Sequence, residues 1–195
     1  RWQDNRKEGP STIAAMPVFH KGRVYVVAGG DLWHGKPQSW LKCVNPEGEG
    51  DITHSGLVWS YPFAGYGTAT PAVADGLAIV VSSNGTVHCV DTTTGKAVWT
   101  CDTEPEIWAS PLIADGKVYL TSRNGYLVVL AAGRQKRIIS SVRLGGSISA
   151  SPTAAGDTLY AANMRTLFAF GVKKQLRASK AVGAGQATAR RMPKP

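Results

Sequence analysis

Short apolar runs rich in Val, Thr and aromatic residues recur along the chain, separated by Gly-containing breaks, while strong helix formers are sparse. That pattern predicts strands joined by tight turns. Strands are expected over Ala72 to Ala74, Leu77 to Ser82, Thr86 to Asp91 and Lys96 to Cys101, with turns at Asp75-Gly76, Asn84-Gly85 and Thr94-Gly95. Asp-Gly and Asn-Gly supply the positive φ angles that two-residue hairpin turns require. The next stretch repeats the design with Asp115-Gly116 and Asn124-Gly125.

Four segments align with one another: Met16-Pro-Val-Phe-His-Lys-Gly-Arg-Val-Tyr25, Thr70-Pro-Ala-Val-Ala-Asp-Gly-Leu-Ala-Ile79, Ser110-Pro-Leu-Ile-Ala-Asp-Gly-Lys-Val-Tyr119 and Ser151-Pro-Thr-Ala-Ala-Gly-Asp-Thr-Leu-Tyr160. Their prolines, Pro17, Pro71, Pro111 and Pro152, lie 54, 40 and 41 residues apart, the first interval lengthened by insertions. A period near 40 accommodates four strands. Four-stranded antiparallel units at a fixed period stack face to face around an axis, each covering its neighbour's apolar face. The predicted fold is all-β, a β-propeller of about four blades, at roughly residues 12–65, 66–104, 105–145 and 146–171. A β-sandwich with similar hairpins competes, but it has no reason to repeat the Ser/Thr-Pro start or the Trp position. Residues 1–11 form a lead-in, and Trp2 reads as the remnant of an outer strand, from a preceding blade or closing the fourth.

The Ser-Pro start, the Asp-Gly-x-Val-Tyr hairpin, the Asn-Gly-x-Leu-x-x-Leu strand and Val90-Asp-Thr-Thr-Thr-Gly-Lys-Ala-Val-Trp99 together resemble the PQQ-like propeller repeat of quinoprotein alcohol dehydrogenases and of an outer-membrane assembly lipoprotein. The resemblance covers roughly residues 12 to 171. Trp59 and Trp99 hold the repeat's outer-strand position, the third unit has Ile138 or Ile139 there, and the fourth unit stops after Phe170. The resemblance implies an eight-bladed ring, of which these blades are about half, and a periplasmic or exported location. An open arc is expected to dimerise or aggregate unless an upstream half or a second copy supplies further blades.

Composition changes this picture little. The content of 43% hydrophobic residues suffices for a core, and the formal charge is +9. Seven of the basic residues fall between Val172 and Pro195, which contains no acid, so the body carries 15 bases against 13 acids. This tail has no aromatic that could stack on a base, so it reads as a disordered, solubilising segment and nucleic acid is not an expected partner. No apolar stretch is long enough to span a bilayer.

Cys43 and Cys89 occupy a third-strand slot that Val129 and Ala169 fill elsewhere, the mark of a small packing site. Cys101 is expected about three residues out of register with Cys89, so all three thiols are expected free. Function is sought where the first unit departs from its template. One insertion, 29–39, carries Asp31, Trp33 and His34, which could meet Tyr66 and Trp108 on one face as a ligand site; alternatively, Asp31 caps a turn and the aromatics shield blade ends. A second, 45–55, carries Glu47, Glu49 and Asp51 on the opposite face, oxygen ligands without the spacing of a known calcium loop.

No Gly-x-Ser-x-Gly, His-Glu-x-x-His or phosphate loop is present. The resembled dehydrogenases hold their quinone with an adjacent cysteine pair, a stacking Trp, a catalytic Asp and calcium ligands, none of which can be matched here residue by residue. The expected function is a non-catalytic scaffold for a protein, peptide or polysaccharide, with no cofactor. The alternative is a fragment of a PQQ-dependent dehydrogenase, with PQQ and calcium entering by resemblance only.

Overall fold

A computed structural model describes residues 1–2, 13–31, 35–103 and 106–171. Every element in it is a strand. The first sheet contains β1 (Val18–His20), β2 (Arg23–Asp31), β3 (Lys36–Val44) and β4 (Leu57–Ala64). The second contains β5 (Ala72–Ala74), β6 (Leu77–Val81), β7 (Thr86–Asp91) and β8 (Ala97–Asp102), and the third β9 (Leu112–Ala114), β10 (Lys117–Thr121), β11 (Tyr126–Ala131) and β12 (Ile138–Arg143). The fourth has three described strands, β13 (Thr153–Ala155), β14 (Thr158–Ala162) and β15 (Leu167–Gly171). Each sheet is an antiparallel meander in sequence order. β1 touches β5 and β5 touches β9, but this succession does not continue at comparable strength to β13, and among the described residues no ring closes. No helix among the described residues could cross a membrane.

The first hairpins follow from their turn residues. Asp75 and Asp115, each at φ 49°, precede Gly76 and Gly116 at φ 77° and 63°, the paired left-handed geometry that matches strand twist. The Asn-Gly turns are built differently: of each pair only the glycine, Gly85 or Gly125, has positive φ. Gly85 N donates to the Ser82 carbonyl and Ser82 N to the Thr86 carbonyl, so this connection is longer than two residues.

Two devices join successive sheets. The first is the hydroxyl before the second, third and fourth repeat prolines. Met16 N donates to Thr70 Oγ1 at 3.0 Å, Thr70 N to Ser110 Oγ at 3.0 Å and Ser110 N to Ser151 Oγ at 2.8 Å. The second is the outer-strand indole. Trp59 Nε1 donates to the Thr92 carbonyl at 2.9 Å and Trp99 Nε1 to the Gly133 carbonyl at 2.8 Å, each reaching the next sheet's last turn. A Cβ on Gly95 would lie 2.6 Å from the Trp59 ring, so that turn needs its glycine both for contact and for its φ of +67°.

Register places Trp59 opposite Cys43 and Trp99 opposite Cys89. In the third sheet Val129 faces Ser140, so Ser140 occupies the indole position rather than Ile138 or Ile139. A bulge after Val129 matches the bulges after Cys43 and Cys89. Ile138 and Ile139 therefore correspond to Ala97 and Val98 and remain 55% and 40% exposed.

The core lies between sheets. Tyr25, Val27, Leu41, Cys43 and Phe63 pack on Ala78, Val80 and Val90. Ile79, Val81, Val87, Cys89, Trp99 and Cys101 pack on Val118, Leu120, Val128 and Leu130. The three thiols are free and buried in these seams, and Cys101 stands opposite Val87, two residues from Cys89 rather than three.

Candidate functional site

Three connections converge on the face that carries the β6–β7 and β10–β11 turns. The segment after β4 brings Tyr66 and Thr68, the β6–β7 turn brings Ser83 and Asn84, and the segment after β8 brings Glu106 and Trp108. Together they line a pocket of about 280 Å³. Ser83 N donates to the Tyr66 carbonyl at 3.0 Å, and Ser83 Oγ accepts from Tyr66 N at 3.1 Å. Arg123 N donates to the Glu106 carbonyl at 2.8 Å, and its guanidinium lies 4.6 Å from the Trp108 ring centroid. That cation–π contact fixes the indole from one side. Trp108 nevertheless stays 45% exposed. Its counterpart one repeat earlier is Thr68, so packing of the repeat does not itself require an indole there.

Of the residues singled out in sequence, Tyr66 and Trp108 thus share one pocket. Asp31 ends β2, paired in register with Lys36, while Trp33 and His34 lie outside the described residues. The first insertion is largely not a loop: it lengthens β2 and β3 to nine residues each, pairing Gly29 with Ser39. Gly30 makes this possible, since a Cβ there would lie 2.5 Å from Ser39 Oγ and 3.0 Å from Tyr66 Cα. Ser39, fully buried, donates its hydroxyl to the Gly65 carbonyl at 2.8 Å and accepts from Gly67 N at 2.9 Å. It positions the segment that presents Tyr66. Sequence reading missed Ser39, Ser83, Asn84 and Arg123. A polar residue inside a strand was the signal for the first, whereas the others look like ordinary turn chemistry.

The second insertion lies at the far end of the first sheet and binds the start of the chain. Ile52 N donates to the Arg1 carbonyl at 2.7 Å, and the Arg1 guanidinium sits 3.2 Å from the Asp51 carboxylate. Hydrogen bonds from Thr53, with Arg1 adding to them, hold the Asp51 carboxyl below its usual range. Trp2, half-buried, therefore sits by the first sheet's loop and joins no strand of the fourth sheet.

The pocket's chemistry is stacking and hydrogen bonding: two aromatic rings, hydroxyls, an amide and one carboxylate. Burial pushes the Cys89 thiol up to about 11 and also raises Cys43 and Cys101, which disfavours the reactive thiolate. His88 is enclosed between the first and second sheets, its Nδ1 3.1 Å from the Tyr61 hydroxyl and its ring 5.3 Å from that of Phe63. Desolvation lowers its pKa.

A family profile described as outer membrane protein assembly factor BamB matches residues 20–173. The quinohemoprotein alcohol dehydrogenase of Comamonas testosteroni is 35% identical over 103 residues, a match spanning 45% of this chain and 14% of that enzyme. BamB of Moraxella catarrhalis superposes with a TM-score of 0.62 at 16% identity, over 80% of this chain and 42% of that one. The computationally designed Ika4 protein superposes with a TM-score of 0.63 at 15% identity, over 88% of this chain and 96% of that one. This chain therefore spans less than half the length of these natural relatives.

Proposed function

This chain belongs to the family of outer membrane protein assembly factor BamB, a family of PQQ-like propellers, and from that premise we propose that it is a non-catalytic binding scaffold. Its ligand, a protein, peptide or polysaccharide, sits on the face that carries Tyr66 and Trp108. The observation that carries this reading is the half-exposed Trp108 indole, clamped from one side by Arg123 where the repeat itself asks only for a Thr. An ordered aromatic wall beside hydroxyl and amide groups suits recognition. By family, the protein acts in the periplasm or outside the cell, and further propeller blades are among its partners.

PQQ with calcium fits these residues poorly. The pocket offers the carboxylate of Glu106, the Arg123 guanidinium is engaged over Trp108, and the described residues contain no cluster of three metal-ligating side chains. The second reading, part of a quinoprotein dehydrogenase, rests on the identity to the Comamonas enzyme.

A titration separates the two. With PQQ and calcium chloride, the scaffold reading expects no change in quinone absorbance and no reduction of a dye by alcohols or sugars. Tight binding with dye reduction would establish the second reading instead. An array of extended peptides and soluble oligosaccharides, probed with the wild-type chain and with Trp108→Ala, should give signals that the variant loses; signals indifferent to Trp108 would remove the pocket from the account.

A further inference from the structure

Between the third and fourth sheets lies a cavity of about 610 Å³, more than twice the pocket described above. One wall is Tyr119, Leu127, Val129, Ser140 and Val142; the other includes Leu159 and Phe170. By register, the first wall repeats the face that the second sheet turns to the third, with Tyr119 for Ile79, Leu127 for Val87, Val129 for Cys89 and Val142 for Cys101. The large change is at one place. Ser140 stands where Trp59 and Trp99 insert their rings into the two preceding seams. The cavity therefore includes the place that an indole fills in the two preceding seams, with apolar walls on both sides.

We propose that this seam is a binding slot for a free, small, planar aromatic molecule of indole size, neutral or carrying an amine. Apolar cavities left by a missing side chain stay receptive to rings of matching shape. Three observations narrow the ligand. The outer strand β12 already pairs with β11 from Tyr126 to Leu130, so no partner strand can deliver a ring along the route that Trp59 and Trp99 take. The chain's own residues 172–195 contain no aromatic, so their side chains supply no ring either. Asp157 lines the slot at its turn end beside Asp115, whose carboxylate is paired with Lys117 at 2.6 Å, so that end carries one carboxylate beyond the ion pair, which disfavours ligands bearing a carboxylate. The Ser140 and Thr158 hydroxyls among the lining residues offer acceptors for a ring N–H.

The test uses the whole chain with indole, tryptamine and indole-3-acetate, read by saturation-transfer and fluorine NMR with a ring-fluorinated indole. Indole and tryptamine should bind with one-to-one stoichiometry at least about tenfold more tightly than the acetate, a gap that corresponds to about 1.4 kcal/mol. Ser140→Trp, which restores the missing ring, should abolish binding and raise the thermal midpoint by a few degrees. Leu159→Trp fills the slot from the opposite wall, so it also should abolish binding, which keeps the test decisive if Ser140→Trp fails to fold. Absence of binding at millimolar ligand, binding that survives both substitutions, or equal affinity for the acetate would each overturn the proposal.

Discussion

The seam between the second and third sheets and the seam between the third and fourth are built from the same repeat, yet only one is sealed. In the first, Trp99 is 8% exposed, bonds the next sheet's turn, and heads a cluster with Val118, Leu120, Val128 and Leu130. In the second, Ser140 replaces the indole, and Val142 and Phe170 remain 43% and 38% exposed. The stacked pair Phe168 and Phe170 puts larger side chains on the fourth sheet without closing the space. The hydroxyl before the proline is unchanged across both seams, since Ser151 accepts from Ser110 as Ser110 accepts from Thr70. The comparison assigns the two devices different work: the hydroxyl sets the spacing of inner strands, and the indole welds the sheets.

The comparison breaks most decisively at Trp99. Trp99→Ala should cost about 3–5 kcal/mol in urea unfolding, the toll of an aromatic cavity, while Ser140→Ala at the equivalent position should stay within about 0.5 kcal/mol. Equal costs would mean that the two seams are alike. Ser110→Ala should cost about 1 kcal/mol by removing the acceptor of Thr70 N. Ser151→Ala, at an exposed site, should cost less than that, and the ordering is readable from the same urea midpoints.

Acid offers a smaller, graded effect. His88 is held neutral by burial, so its contribution is complete above its ordinary pKa of 6.5 and is lost as pH falls through the lower folded value. Asp91, which accepts from Arg134 and from the Thr93 and Thr94 amides, is depressed from 3.8 to about 2, so its contribution is present above 3.8 and disappears as pH falls through about 2. Stability against pH should therefore decline in two stages. His88→Phe should erase the upper one and leave the lower.

Much of this fold was legible because its signals are local. The Asp-Gly hairpins, the Ser/Thr-Pro starts and the short apolar runs of β6, β7, β10 and β11 each act within a few residues. The missing indole was misplaced onto Ile138 or Ile139 because the β11–β12 connection, residues 132–137, is one residue longer than the β7–β8 connection, residues 92–96, which moves the position facing Val129 on to Ser140. The first insertion read as a loop because Gly29-Gly30 looks like a breaker; packing of Gly30 against Tyr66 instead allows two long strands. Tyr66 and Trp108 could be brought together from sequence since equivalent connections fall on one face. Their supports Ser39 and Arg123 act through bonds between residues remote in sequence, which periodicity does not encode.

Hydrogen exchange on the whole chain tests most directly the claim that indole docking couples the sheets. Amides of β6, β7, β10 and β11 should exchange together, at the slowest rates in the molecule, whereas those of β14 and β15 should exchange at least about tenfold faster through local opening of the fourth sheet. Protection of β14 equal to that of β10 would contradict the account.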